Sequence, residues 1–157
     1  MKKKLDAINR QLLAMLQDNA ETPLAELAEA VNLSSTPCWR RLQMLREAGY
    51  ISKQVALVNP AKVNLGVTVF VAIKTNQHTA QWLQALREAV QGIPEVVEFY
   101  RMSGDVDYLL RVVVPDIQTY DAVYKRLIAA VPLSDVSSSF AMEELKFTTA
   151  LPLDYAD

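Results

Sequence analysis

The sequence predicts an α+β protein in which an N-terminal winged helix-turn-helix is followed by a ferredoxin-like βαββαβ sandwich. Apolar residues recur at helical spacing in three segments between residues 5 and 48, and from residue 67 onward strand-like and helix-like runs follow the order β-α-β-β-α-β. The 157 residues, 51% of them hydrophobic, suffice to bury a core in each part. We expect a helical domain over residues 1–58, a linker over 59–66 and a sandwich domain over 67–157.

Composition and charge restrict the function classes open to this chain. Residues 1–60 hold eight Lys/Arg against six Asp/Glu, a net charge of +2, whereas residues 61–157 hold eight against twelve, a net charge of −4. Only the first part is expected to attract a phosphate backbone. No uncharged apolar run of about 18 residues is present, so we expect neither a signal peptide nor a membrane span. A single Cys and a single His exclude an internal disulfide and a structural zinc site, which favours the cytoplasm and predicts no metal.

Two amphipathic segments predict the first helices of the helical domain. LDAINRQLLAMLQDNA, residues 5–20, places leucine and isoleucine at helical spacing, and LAELAEAV, residues 24–31, repeats the pattern. Pro23 precedes the second segment, and proline is favoured in a first helical turn because its missing N–H would have no helical partner there. We expect two short helices joined by a tight turn.

A third helix is predicted from NLSSTPCWRRLQMLREAG, residues 32–49. The serines suit an N-cap, and Gly49 suits the end because glycine readily adopts the left-handed conformation that closes many helices. Three helices joined tightly form a helix-turn-helix unit. YISKQVALV, residues 50–58, is rich in β-branched and apolar residues and predicts a strand or small wing, and NPAKVNLG predicts the linker.

Four strand-like and two helix-like runs predict the sandwich domain. They are, in order of type, VTVFVAIKT, VVEFYRMSG, DYLLRVVV and DVSSSFAME, then AQWLQALREAV and TYDAVYKRLIAAV. A sandwich of this topology carries both helices on one face of its sheet. The first strand nevertheless has apolar residues on both faces, with Phe70 and Ala72 opposite Val69 and Val71. The bare face needs a partner, and a second copy of the chain is the simplest one, so we expect a homodimer.

The outward face of the third predicted helix is the candidate DNA-binding surface. At about 100° per residue, Cys38, Leu42 and Leu45 fall on the inward face. The remaining hydroxyl, indole and guanidinium groups suit contacts with the phosphates and base edges of double-stranded DNA. The candidate DNA-binding residues are Ser34, Ser35, Thr36, Trp39, Arg40, Arg41 and Gln43. The alternative is a solvated helix face, but the tri-helical context with its short turn favours DNA.

Cys38 and His78, the one cysteine and the one histidine of the sequence, could each have a chemical role. A thiol near a helix N-terminus can act as a redox switch, but the inward leucine face favours a small core residue at Cys38. His78 lies in the predicted loop TNQHTA with no nucleophile or carboxylate arranged around it. We therefore predict no catalytic residues and do not expect an enzyme.

The segment SGDVDYLL is the candidate effector site. Gly104 supplies a sharp turn whose freed backbone N–H groups can bind a carboxylate, and Asp107 can bind an ammonium group. A free amino acid carries both groups, and SSSF on the last predicted strand can complete its pocket from the same or a neighbouring subunit. The candidate effector-binding residues are Ser103, Gly104, Asp105, Asp107, Tyr108, Ser138 and Ser139.

Two alternatives remain for this segment. One is a plain hairpin turn whose acidic residues only favour the turn conformation. The other is a divalent cation held by Asp105, Asp107, Glu143 and Glu144, although their spacing resembles no known cation loop.

From about Leu5 to Leu153 the chain resembles the Lrp/AsnC, or feast/famine, family of transcription regulators. The resemblance rests on the helical segments above, on NPAKVNLG, and on MSGDVDYLLRVVVPD, YKRL and SSSFAMEELKFTTALPL. TPCW and FTTALPL are most similar to the branch that includes the cysteine-responsive regulators. The resemblance implies a winged helix-turn-helix, a ligand-sensing domain of the RAM type, dimers that often assemble into octamers, and an amino acid bound near GDVDY where dimers meet.

Two other function classes stay open beside a sequence-specific, amino-acid-modulated DNA-binding regulator. An enzyme of amino-acid metabolism on the ferredoxin-like half lacks a base, nucleophile or metal constellation. A metabolite-binding assembly module leaves Arg40 and Arg41 without a role. The sequence favours the regulator, with no cofactor beyond the amino acid and no membrane partner.

Overall fold

The computed structural model describes residues 5–156 of the chain. The chain forms two compact units, Met1–Ala56 with Lys146–Asp157, and Leu57–Leu145. The prediction assigned the C-terminal segment to the sandwich domain over 67–157. The structure instead places this segment in the helical unit, because Leu153 and Ala156 pack against the helical core.

Three helices form the first unit: α1 (Ala7–Asp18), α2 (Leu24–Ala30) and α3 (Ser35–Glu47). Asp6 caps α1, since its carboxylate accepts a hydrogen bond of 2.8 Å from the backbone N–H of Asn9. The core is built from one face of each helix, and its most buried members are Leu12, Leu27, Cys38 and Leu45. The predicted inward face of the third helix is confirmed.

The end of α3 follows the prediction, but the strand expected after it is absent. Gly49 adopts φ +78°, and the N–H of Tyr50 donates back to the carbonyl of Leu45 at 2.9 Å, which ends the helix. Residues 52–58 form no strand, and their N–H and C=O groups make no backbone hydrogen bond within the described chain. A strand is stable only when a second strand satisfies these groups, and no neighbouring segment among residues 5–156 does so. In the predicted linker, Pro60–Val63 forms a 3₁₀ turn.

The second unit confirms the predicted β-α-β-β-α-β order. Its elements are β1 (Val67–Lys74), α4 (Ala80–Gln91), β2 (Val96–Arg101), β3 (Tyr108–Val114), α5 (Ile117–Ala130) and β4 (Asp135–Phe140). They form a four-stranded antiparallel sheet in the order β2-β3-β1-β4. The central pair is β1 with β3, where Val71 faces Leu110.

Alternate residues of the sheet face α4 and α5 and form the core of the second unit. On β1 these are Val69, Val71 and Ile73, all fully buried. Trp82 of α4 packs with them, and its indole N–H donates to the carbonyl of Pro132 at 2.9 Å. Trp82 is therefore a buried packing residue of this core.

The opposite face of the sheet carries neither α4 nor α5, the two helices of this unit. On this face Phe70 is 39% exposed, and Arg111, which lies beside it in the register, binds Glu98 of β2 at 2.6 Å. The face therefore carries Phe70 and Ala72 at the centre of β1 and an ion pair between β2 and β3.

Candidate DNA-binding and effector sites

The first turns of α3 expose most of the predicted DNA-binding residues. Ser34 is the N-cap of the helix, yet its side chain makes no capping hydrogen bond, so the hydroxyl is available to an external group. Trp39 is 50% exposed, and Ser35, Thr36 and Arg40 are exposed as well. Gln43 is only half-buried. The face presents hydroxyls, an indole and a guanidinium at the N-terminal half of the helix.

Arg41 departs from the predicted outward orientation. Its guanidinium donates hydrogen bonds to the Asp6 carboxylate at 2.6 Å and to the side-chain carbonyl of Asn9 at 3.1 Å. Asn9 is buried, so this arginine holds α3 against the N-terminal turn of α1. The cause is the position of Arg41 one residue, or about 100°, round the helix from Arg40, on the side that faces α1.

Charge and burial around this contact shift two pKa values. Burial raises the pKa of Asp6, but the Arg41 hydrogen bond and charge and the Asn9 N–H lower it by more, so the pKa of this carboxyl lies below its ordinary value. Burial raises the pKa of the Cys38 thiol, and the nearby Arg41 only partly opposes this effect. The fully buried Cys38 is therefore the small core residue that the inward face predicted.

The predicted effector turn joins β2 to β3 and presents free backbone donors. Gly104 adopts φ +106°, a conformation that favours glycine, although a Cβ there would meet no atom within 4 Å. Within the described chain, the N–H groups of residues 103–106 make no backbone hydrogen bond. Ser103 and Asp105 are exposed on either side of the glycine. The tip of the turn can therefore donate hydrogen bonds to an anionic group.

Asp107 forms the base of this turn and is itself held in place. Its Oδ2 accepts a hydrogen bond of 2.8 Å from the backbone N–H of Thr75, which follows β1. Its own N–H donates to the carbonyl of Ile73, and its carbonyl accepts from the N–H of Met102. Among residues 5–156, no hydrogen bond reaches the other carboxylate oxygen, Oδ1. Asp107 is a fixed acceptor beside a turn with free donors.

Tyr108 lies away from the surface of the turn. It is 4% exposed, and its ring centre is 5.6 Å from those of Trp82 and Phe99 in the helix-covered core. Strand alternation explains this placement, since Tyr108 shares a face of β3 with the buried Leu110. The predicted contribution of its hydroxyl to a surface pocket is not supported by this orientation.

Ser138 and Ser139 are separated from the turn within one chain. Ser138 of β4 pairs with Val71 of β1, and β1 lies between β4 and β3, so this serine is two strand spacings, or roughly 10 Å, from the strand that leaves the turn. Its hydroxyl shares a hydrogen bond with the hydroxyl of Tyr120 of α5, whereas Ser139 is exposed on the bare face. The predicted pocket within a single subunit is therefore not formed by these serines.

Two structural contacts of the sites were not predicted from the sequence. Thr75 was included in a strand-like run without a role, although it follows the last strand residue and so ends its pairing. Asp6 precedes an apolar-periodic helix, which is the signature of an N-cap, and that signal was present in the sequence.

Other kinds of site receive no support from the described residues. Residues 5–156 contain no group of three or more His, Cys, Asp or Glu side chains positioned to hold a metal ion, and the cation alternative depended on such a group. His78 is exposed in the loop before α4. Of the helices described, none has the length and apolar character needed to cross a membrane.

The first unit is a helix-turn-helix with hydroxyl and arginine side chains on its third helix. The second unit is a sheet domain with a polar turn. Together they define the class of ligand-responsive DNA-binding proteins. Comparison with protein families agrees with this class. Residues 5–52 match the winged helix-turn-helix DNA-binding model, and residues 68–151 match the Lrp/AsnC ligand binding domain. The chain belongs to the Lrp/AsnC family of transcriptional regulators. It is a DNA-binding transcription regulator and not an enzyme, as predicted.

Relatives of this family cover nearly the whole chain. The DNA-binding transcriptional activator DecR of Escherichia coli K12 is 52% identical over 96% of this chain and 99% of its own length. The glutamate uptake regulatory protein of Zymomonas mobilis is 46% identical over 98% of this chain and 93% of its own length.

Two solved structures superimpose closely on nearly the whole chain. An AsnC family transcriptional regulator from Agrobacterium tumefaciens superimposes with a TM-score of 0.92 at 58% identity, covering 96% of this chain and 99% of that one. A transcriptional regulator from Neisseria meningitidis, solved as a complex with L-Met, gives a TM-score of 0.91 at 34% identity and covers 96% and 97% of the two chains.

Proposed function

We propose that this regulator binds specific DNA sequences through the exposed face of α3 and that a free amino acid, bound at the turn between β2 and β3, modulates this binding. The observation that carries the effector proposal is the pairing of free N–H donors at residues 103–106 with the fixed carboxylate of Asp107. An α-amino acid offers the complementary carboxylate and ammonium groups. The Neisseria relative solved with L-Met and the relative named for glutamate uptake support this ligand class.

The proposed DNA contacts come from one half of α3. Ser34, Ser35 and Thr36 supply hydroxyls and backbone N–H groups at the helix N-terminus, where the helix dipole favours phosphate. Arg40 supplies a charge-assisted contact with phosphate or guanine, and Trp39 supplies an apolar contact with a sugar or a thymine methyl. Gln43, half-buried, is placed at the margin of this surface. Arg41 does not contact DNA in this proposal; it holds α3 in place through its hydrogen bond to Asp6.

The proposed assembly is a homodimer formed through the bare face of the sheet, with octamers of four dimers as the higher state. Phe70 and Tyr100 are exposed on this face at 39% and 52%. Large apolar side chains also remain exposed outside the sheet, among them Leu57 at 64% and Leu145 at 86%. A second copy that covers such surface removes it from water, which favours association. Ser139, exposed on the same face, would reach an effector only from a neighbouring copy.

Thermal denaturation in the presence of each of the twenty amino acids tests the effector proposal. A ligand that binds the native state raises the melting temperature by mass action. We expect one or a few amino acids to do so, and the same ones to change the affinity for operator DNA. If no amino acid shifts either the melting temperature or the DNA affinity, the proposed effector class is wrong.

Binding to duplex DNA at two salt concentrations tests the DNA-binding role separately. Because cationic side chains release counterions from DNA, the affinity should fall steeply as salt rises. Sedimentation or light scattering at micromolar concentration tests the assembly, and a monomer there would contradict the dimer.

A further inference from the structure

The C-terminal segment of the chain is bound to α1 of the helical unit. The side-chain amide of Gln17 donates to the carbonyl of Leu151 at 3.1 Å and accepts from the N–H of the same residue at 2.7 Å. One glutamine thus satisfies both backbone groups of Leu151, as a neighbouring strand would. Leu153 and Ala156 follow and pack against the helical core, so the segment is held by both polar and apolar contacts.

The opposite end of α1 holds the DNA-binding helix. Asp6, which caps this helix, and Asn9, in its first turn, bind the guanidinium of Arg41 on α3. Asn9 and Gln17 are eight residues apart on α1, which corresponds to about 12 Å along the helix axis. A single rigid helix therefore carries the contact with the C-terminal segment at one end and the contact with α3 at the other.

We propose that residues 146–156 are a working part of the DNA-binding unit, and that they set the orientation of α3 by holding α1. Gln17 and Arg41 are then positioning residues for DNA binding, since each acts through α1 and neither touches DNA. The proposal rests on DNA binding by α3 and does not depend on the identity of the effector.

Both ends of the chain contribute to the DNA-binding unit. The segment leaves the second unit after Leu145, and the linker enters that unit at Leu57, so the DNA-binding unit is assembled from both ends of the chain. The DNA-binding unit is therefore joined to the second unit by two covalent connections, the linker and the C-terminal segment.

The test compares Gln17→Ala with Gln81→Ala, which removes an exposed glutamine from α4 of the other unit. We expect Gln17→Ala to lower the affinity for operator DNA about threefold to tenfold, because it removes two exposed hydrogen bonds to the backbone of Leu151, each of small net stability. The slope of affinity against salt should stay that of the parent, since no phosphate contact is lost. The Gln81→Ala control should match the parent in both measurements.

Hydrogen exchange on the full-length protein gives a second readout. Gln17→Ala should speed exchange of the amides of α1, with Leu153→Ala acting in the same direction, because each removes one part of the contact that holds the segment. Gln17→Glu keeps the acceptor for the Leu151 N–H but loses the donor, so its DNA affinity should be intermediate. This graded series also covers the case in which the alanine variant is too unstable to assay.

Two results would overturn the proposal. If Gln17→Ala melts at a lower temperature yet binds DNA with the affinity of the parent well below its melting point, the segment only stabilises the unit. If its salt slope falls by about one, Gln17 contacts a phosphate directly and is not a positioning residue.

Discussion

Arg41 of α3 donates a hydrogen bond of 2.6 Å to the carboxylate of Asp6, the residue that caps α1. The contact gives two adjacent arginines different surroundings. Arg40 is exposed on the outer face of the helix, whereas Arg41 is turned back into the helical unit. We infer that the paired arginines in the middle of this helix comprise one DNA-facing and one protein-facing member.

The two arginines should differ in the salt dependence of DNA binding. Arg40→Ala should weaken binding and reduce the magnitude of the salt slope by about one, because a phosphate or guanine contact is lost. Arg41→Ala should weaken binding with the slope unchanged, because α3 loses its support on α1. Fluorescence anisotropy over a salt series measures both. A reduced slope for Arg41→Ala would show that this guanidinium leaves Asp6 to contact DNA.

The Asp6 contact should also contribute to stability in a pH-dependent way. The pKa of Asp6 is lowered from its ordinary value in the folded chain, so its ionised form is favoured by folding. This contribution is present above the unfolded-state pKa and is lost as the pH falls through the lower folded-state pKa. Asp6→Asn keeps an N-cap acceptor but removes the charge. Its stability deficit in denaturant should therefore shrink as the pH falls from the unfolded-state pKa of Asp6 through its lower folded-state pKa.

Asp18→Asn is the matched control for the pH experiment, since it removes an exposed carboxylate from the far end of the same helix. A deficit for Asp6→Asn that stays constant down to the lowest pH would mean that the charge of Asp6 adds nothing to the contact.

Dimer formation should depend on the ion pair between Glu98 and Arg111. The hydrogen bond from Arg111 is the main cause that lowers the pKa of the Glu98 carboxyl, and burial opposes it less strongly. In a dimer that covers the bare face, Glu98→Gln leaves the Arg111 charge without its partner, which is costly in a buried interface. We expect the dimer dissociation constant to rise more than about tenfold in sedimentation experiments.

A double substitution and a surface control sharpen this prediction. Glu98→Met with Arg111→Met removes both charges and should restore much of the association, since an apolar pair tolerates burial. Asp121→Asn breaks the exposed pair with Lys125 and should leave association unchanged. Equal dimer affinity in Glu98→Gln and the parent would place the interface elsewhere.

The sequence predicted what depends on local spacing. Helical and strand periodicity identified the α-helices and the sheet strands of the described chain. The inward face of α3 followed from the rotation of about 100° per residue along a helix. The Asp6 partner of Arg41 lies 35 residues away and the Leu151 partner of Gln17 lies 134 residues away, so no local pattern contains either contact. The strand expected over residues 50–58 is absent for a related reason, because β propensity does not supply the second strand that a strand requires.

The candidate effector site was predictable in part. Gly104 and the acidic residues marked the turn, but the alternation that buries Tyr108 and the register that separates Ser138 from the turn appear only once the sheet is formed. The hydrogen bond from Thr75 to Asp107 likewise joins residues 32 positions apart. It gives Asp107 a structural role beside its proposed ligand role, so an alanine substitution would change both.

Operator binding by Asp107→Asn, with and without the amino acid found to stabilise the parent, tests the central claim most directly. Asparagine retains an acceptor for the Thr75 N–H but loses the charge that binds an ammonium group. We predict that the variant binds operator DNA like the parent in the absence of ligand and no longer responds to the amino acid at concentrations that saturate the parent. An undiminished response would place the effector site elsewhere, and loss of DNA binding without ligand would show that the carboxylate of Asp107 serves the fold alone.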